Sequence, residues 1–157
     1  ADKMSAPRYQ AIVDADIPVV PLPAGAGNVR VIAGEFGGQR GPAQTHTPMD
    51  VWDLRLGRDH RTTLAFAEGH TAAIVILRGT VMLNDQQLGR EGQVVVFDRR
   101  AGHVALEANS DVMALILAGE PINEPIVGHG PFVMNTRAQI VQAIEDFNSG
   151  RFGQISA

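Results

Sequence analysis

From Val29 to Gly119 the chain offers no helix-length apolar period; it offers short alternating or apolar stretches, each closed by a turn residue. In "VWDLRLG" (51–57), Trp52, Leu54 and Leu56 share one face while Asp53 and Arg55 share the other. That is the period of two of a half-buried strand. "VRVIAGEF" comes before it; "TTLAFAEG", "TAAIVILRG", "TVMLN", "GQVVVFD", "HVALEA" and "DVMALILAG" follow it. Gly79, Asn84–Asp85, Gly92 and Asn109–Ser110 supply turns between them. Short strands with turn signals about every 8–12 residues predict an all-β sandwich or small barrel, not a parallel sheet with crossover helices. We expect an antiparallel two-sheet jelly roll over residues 19–120, inside a barrel segment running to residue 134.

The flanks read differently. Residues 1–18 form a lead-in punctuated by Pro7 and Pro18, and Pro21 and Pro23 follow closely. Proline withholds backbone donors, so at most one edge strand fits there, around Ile17–Val20. After Gly119 the period changes. Thr136 with Gln139 three residues on makes a capping box. Ile140, Ala143, Ile144 and Phe147 then form an apolar stripe, and Gly150 is placed to end the helix. One substantial helix is expected in a terminal segment, 135–157.

Composition narrows the function classes. A chain of 157 residues is one domain's worth and buries roughly 68–70% of its unfolded surface. With no cysteine, disulfides, thiolate nucleophiles and Cys-ligated zinc are excluded, and a reducing, cytoplasmic compartment is expected. The opening "ADKMSAPRYQ" is polar and carries no apolar signal core. The longest apolar runs, Ala72–Leu77 and Val112–Ala118, fall far short of the roughly 18–20 residues that span a bilayer, so no membrane partner is expected. A net charge of −4 without a basic stripe speaks against nucleic acid. Arg55, Arg58 and Arg61, interleaved with Asp53 and Asp59, read as a solvated face.

Any transition-metal site would be built from His46, His60, His70, His103 and His129 together with carboxylates. A small barrel with glycine-marked histidines suggests the cupin pattern. Its first motif, G-x5-H-x-H-x3,4-E-x6-G, anchored on Gly79, puts Ala72 at the glutamate. The histidine positions then fall on Phe66 and Glu68, or on Ala65 and Ala67, so no ligand survives. In the second motif, Gly92 fits the start, His103 the histidine and Glu107 the asparagine. One ligand is too few for a catalytic metal, which normally needs about three from the protein. His103 is thus a weak metal candidate at most. His103 and Glu107 share a strand face opposite Val104 and Leu106, and are exposed if those two face the core. Pocket candidates are His103, Glu107, His70 and His46; His46 lies in the loop "QTHTPMD", and His60, between arginines, reads as surface.

Taken together, "PRYQ", "TPMDVWDLRL", "AGEPINEPIVGHGPFVMNT" and "QAIEDFNSGRFG" resemble the pirin family, and within it the C-terminal cupin domain. The resemblance runs from about Arg8 to Gly153, and the stretch Gly119–Thr136 is its most specific part. It implies the second half of a two-cupin protein. In that family a single metal, usually iron, is held by histidines and a glutamate of the N-terminal cupin, in an HPHxGFE-type motif. Some members open flavonols such as quercetin with dioxygen, and a human member is a nuclear co-regulator. No HPH occurs in this chain, so those ligands have no position to be carried to.

The resemblance therefore implies a non-catalytic cupin with no cofactor of its own. Iron is expected only in an N-terminal half, and the expected partner is that half or a second copy. It also casts His129, Gly130, Pro131 and Thr136 as a structural signature. The glycines permit a sharp bend and the proline fixes its exit, fastening the terminal helix across the barrel or onto the other half. Two alternatives stand beside this: an iron-dependent flavonol dioxygenase built on His46, His70 and His103, and a stand-alone small-molecule-binding barrel.

Overall fold

The computed structural model describes residues 2–6, 8–100 and 102–153. In it the alternating stretches become β1 (Val19–Pro21), β2 (Gly27–Ala33), β3 (Glu35–Phe36), β4 (Gln39–Arg40), β5 (Met49–Leu56), β6 (Arg61–Phe66) and β7 (Thr71–Arg78). They continue as β8 (Thr80–Leu83), β9 (Gln87–Arg90), β10 (Val94–Phe97), β11 (Gly102–Ala108) and β12 (Val112–Gly119). A short hairpin, β13 (Val127–His129) and β14 (Phe132–Met134), leads into helix α1 (Arg137–Asn148). All ladders are antiparallel.

One sheet has six strands in the order β1-β2-β5-β12-β7-β10, and the other four, β6-β11-β8-β9. The fold class is the expected one: all-β, antiparallel, with a single α-helix among the described residues, near the C-terminal end. The lead-in contributes one edge strand, β1, paired to β2.

Parity along the strands explains the core. Leu54 and Leu56, Ile74 and Ile76, Leu106, and Ile116 all point into the space between the sheets and are fully buried. Each such side chain contributes about 1.5–3 kcal/mol through the water it sheds. The residues between them face outward.

The Asp53 side of β5 departs from the expectation of a solvated face. Asp53 is only 8% exposed. Arg30, directly across the ladder, donates to its Oδ2 (3.1 Å), and Arg55 donates through Nε (2.9 Å) and Nη2 (3.0 Å). Two long arginine stems lie over the carboxylate and remove it from water. Arg30 also pairs with Asp14. Arg58, Asp59 and Arg61 do stay exposed, Arg61 pairing with Asp85.

The chain divides into two compact units, one Arg8–Pro121 and the other made of the residues on either side of it. The first holds both sheets. In the second, Ile140 and Ala143 of α1 are buried, and the rings of Phe132, Phe147 and Phe152 meet edge to face at 6.1–6.3 Å. The β13–β14 hairpin thus groups with the helix, although the sequence suggested a barrel running to residue 134; its Phe132 packs on the helix's own aromatic side chain. Lys3 is tied to the same unit: its backbone N–H donates to Glu124 (3.2 Å) and its Nζ to the carbonyls of Pro125 (2.6 Å) and Met134 (3.2 Å). The capping box forms as expected. Thr136 Oγ1 accepts from the Gln139 N–H (3.2 Å), and Gln139 Oε1 accepts from the Thr136 N–H (3.0 Å).

Candidate functional site

The space between the two sheets is the natural place for a site in such a fold, and here aliphatic side chains and Trp52 pack it, with the partly buried rings of Phe36, Phe66 and Phe97 against them. Phe36 meets Trp52 edge-on at 5.1 Å, Trp52 stacks on Phe66 at 6.3 Å, and Phe66 stacks on Phe97 at 6.1 Å. Trp52 is 3% exposed, and its Nε1 has no hydrogen-bond partner among the described residues. Phe66 is one of the residues standing at a histidine position of the first cupin motif. Among the described residues no three His, Asp or Glu side chains gather as a metal ion requires. The described residues therefore offer no ligand set for an iron inside this cupin, in line with a resemblance that puts the iron in the other half.

The polar groups lie at the rim. A cleft of about 720 Å³ opens at the ends of β5 and β7, lined by Arg8, Glu35, Arg40, His46, Asp50 and His70 among others. Strand parity places two of these. Asp50 is two residues before Trp52, and His70 is two before buried Ala72, so both continue the inward-facing rows past the last packed residue. β12 brings the rows together: Ala118 lies opposite Asp50 on one side and Ala72 on the other.

Local chain geometry holds Asp50 in place. Its Oδ1 accepts from the Glu35 N–H (3.3 Å), just beyond the turn at Gly34. Gly34 has φ of 75°, and a Cβ there would come within 2.0 Å of that same oxygen. Only glycine allows this approach. Burial pushes the Asp50 carboxyl above its ordinary value; the Glu35 amide and the positive charge of His70 oppose that shift. Nδ1 of His70 is buried and without a partner among the described residues. The outer wall ties the start of the unit to the loop before β5. Arg8 Nη2 donates to the Gln44 carbonyl (2.9 Å), the Gln44 N–H to Gln10 Oε1 (2.9 Å), and Gln10 Nε2 to the Pro42 carbonyl (2.8 Å).

Of the pocket candidates, the structure brings His46 and His70 into this one cleft. His103 and Glu107 lie elsewhere, exposed on the outer face of the four-stranded sheet, because Val104, Leu106 and Ala108 take the inner face. Glu107 sits 3.8 Å from Arg61. His60 bonds back to the Arg58 carbonyl (2.9 Å). His129 ends β13 opposite Phe132, with Gly130 (φ 54°) and Pro131 making the turn, and it is exposed. It borders a separate apolar groove with Arg137 and Ile140. Asp50 and Arg8 carry the cleft, yet motif spacing does not point to either. The available signal was the parity of Trp52 extended back by two.

Two antiparallel sheets closed over one apolar interior make this a cupin-type jelly roll. The chain belongs to the pirin family: residues 51–153 match the family's C-terminal cupin domain. It is 53% identical, over 97% of its own length and 53% of the relative's, to a Pseudomonas aeruginosa protein named "Putative quercetin 2,3-dioxygenase". Mouse pirin is 34% identical, with 98% of this chain and 53% of that protein covered. A crystal structure of quercetin 2,3-dioxygenase from Acinetobacter baumannii superposes with a TM-score of 0.92 at 44% identity, over 98% of this chain and 54% of that one. The chain spans about half the length of these relatives. Among the described residues, no helix is long and apolar enough to cross a membrane.

Proposed function

We propose that this chain is the non-catalytic C-terminal cupin of a two-cupin, pirin-like protein, and that it completes and stabilises a metal-bearing N-terminal cupin. The observation that carries the reading is the outer face of the six-stranded sheet. On β7 and β10, Leu77, Val94 and Val96 are 50%, 58% and 68% exposed. Val94 lies opposite Val75, and Val75 opposite Leu115, on that same outward side. β10 is also an edge strand. A free monomer seldom leaves an apolar edge of this kind open to water, because it invites pairing with another chain.

The apolar interior supports the non-catalytic part of the reading, since its buried core positions carry no metal-ligating side chain. In the whole protein, any dioxygen chemistry on a flavonol such as quercetin would belong to iron in the other cupin. A reducing, cytoplasmic setting accords with the absence of cysteine, and the net charge of −4 offers nucleic acid no grip.

The test is to prepare the chain alone and together with an N-terminal cupin half of a pirin. Alone, it is expected to retain less than about 0.2 transition metal per chain and to leave quercetin unchanged. With the N-terminal half it should form a complex that Val96→Asp disrupts. Near-stoichiometric iron in the isolated chain that disappears in His103→Ala would overturn the reading. So would a monomer that stays single at high concentration and ignores the N-terminal half.

A further inference from the structure

The rim cleft has no part in that reading, and its ligand chemistry is independent of it. We propose that the cleft formed by Arg8, His46, Asp50 and His70 binds a small hydroxylated carboxylate of the sugar-acid type.

The two ends of the cleft differ in chemistry. At one end, Arg8 is fixed by its bonds to Gln44, two residues from His46. Its guanidinium has no carboxylate partner among the described residues, and neither has that of Arg40. Glu35 faces Arg40 across the β3–β4 ladder without closing an ion pair, so Arg8 is the cation least offset by neighbouring charge. A guanidinium held by its own hydrogen bonds, with donors to spare, is suited to a carboxylate.

At the other end, Asp50 has committed Oδ1 to the Glu35 amide, and Oδ2 makes no hydrogen bond among the described residues. The His70 side chain lines the same cleft, its Nδ1 buried and unpartnered among the described residues. A ligand hydroxyl would donate to the open Asp50 Oδ2. A purely apolar acid would leave that oxygen unmet, and a neutral polyol would leave Arg8 unanswered. The volume of about 720 Å³ falls within the usual range for small-molecule sites. The lining, Thr45, Thr47 and loop backbone among it, is hydrophilic enough for a sugar acid.

Gluconate is the probe, with hexanoate (the charge without hydroxyls) and sorbitol (hydroxyls without the charge) as controls, followed by NMR of the intact chain through the His46 and His70 ring resonances. Gluconate is expected to bind with Kd of about 1 mM or tighter, and both controls at least about 10-fold more weakly. Arg8→Gln, at an exposed position, should keep the fold and weaken gluconate about 10-fold. Asp50→Asn should weaken it by a similar factor while leaving any hexanoate binding unchanged. The proposal fails if gluconate at about 50 mM moves neither histidine, if hexanoate binds as well as gluconate, or if Arg8→Gln leaves the affinity as it was.

Discussion

Trp52 and Asp50 stand two residues apart on the same face of β5, yet they belong to different kinds of surface. Around buried Trp52 the surface is apolar and packed, running on through the partly buried rings of Phe36, Phe66 and Phe97. Around Asp50 it is titratable and open, with His70 beside it and Arg8 above the loop wall. One step along the same strand face, at a rise of about 3.3 Å per residue, separates a packed interior from a polar rim. In this domain the depth of the jelly roll serves stability, and whatever binding it performs is left to its mouth.

The comparison can be broken from the inside first. Trp52→Ala removes the ring between Phe36 and Phe66 and should cost about 3–5 kcal/mol, read as a lowered urea midpoint. Phe66→His restores a residue of ligand type to the interior. It should instead destabilise the chain by about 2–3 kcal/mol, since the imidazole would enter an aromatic stack with no partner. A gain of tightly held iron in that variant would show that the interior is still a metal site in waiting.

The rim should respond to pH rather than to packing. Burial raises the Asp50 carboxyl above 3.8, so its neutral form is the one the fold favours. Its contribution to stability is then complete below that value and declines as pH rises through the folded one. Asp50→Asn removes the decline: from about pH 3 to pH 6, the variant's stability should improve relative to wild type. A difference that stays flat, or moves the other way, would mean that the Glu35 amide and His70 outweigh burial at this site. The smallest effect belongs to His103→Ala on the exposed sheet face, expected within about 0.5 kcal/mol of wild type. A larger loss would show that this histidine has a structural partner.

These contrasts also mark what the sequence revealed. The parity of Trp52, Leu54 and Leu56 is local and was readable, as were the capping box at Thr136 and the outward placing of His103. Asp50 joining His70 was not. It depends on β12 lying between β5 and β7, with Ala118 opposite both Asp50 and Ala72, long-range pairings that no local pattern encodes. Asp53 misled for a related reason: alternation assigns it to the outer face correctly, but only the ladder register shows that Arg30 reaches over it.

The position of β12 has a bearing on how the molecule is made. β11 sits between β6 and β8, and β12 between β5 and β7, so two consecutive strands, parted by a turn at Asn109–Asp111, close different sheets. As the chain leaves the ribosome, β5, β6, β7 and β8 must all wait, with open edges, for residues 102–119 to emerge. Neither sheet can be completed one hairpin at a time. Such long-range closure makes for slow folding, with exposed strand edges while it lasts. A nascent chain stalled near Ser110 would hold the six-stranded sheet as two unjoined pieces, so its assembly is governed by when this one strand arrives.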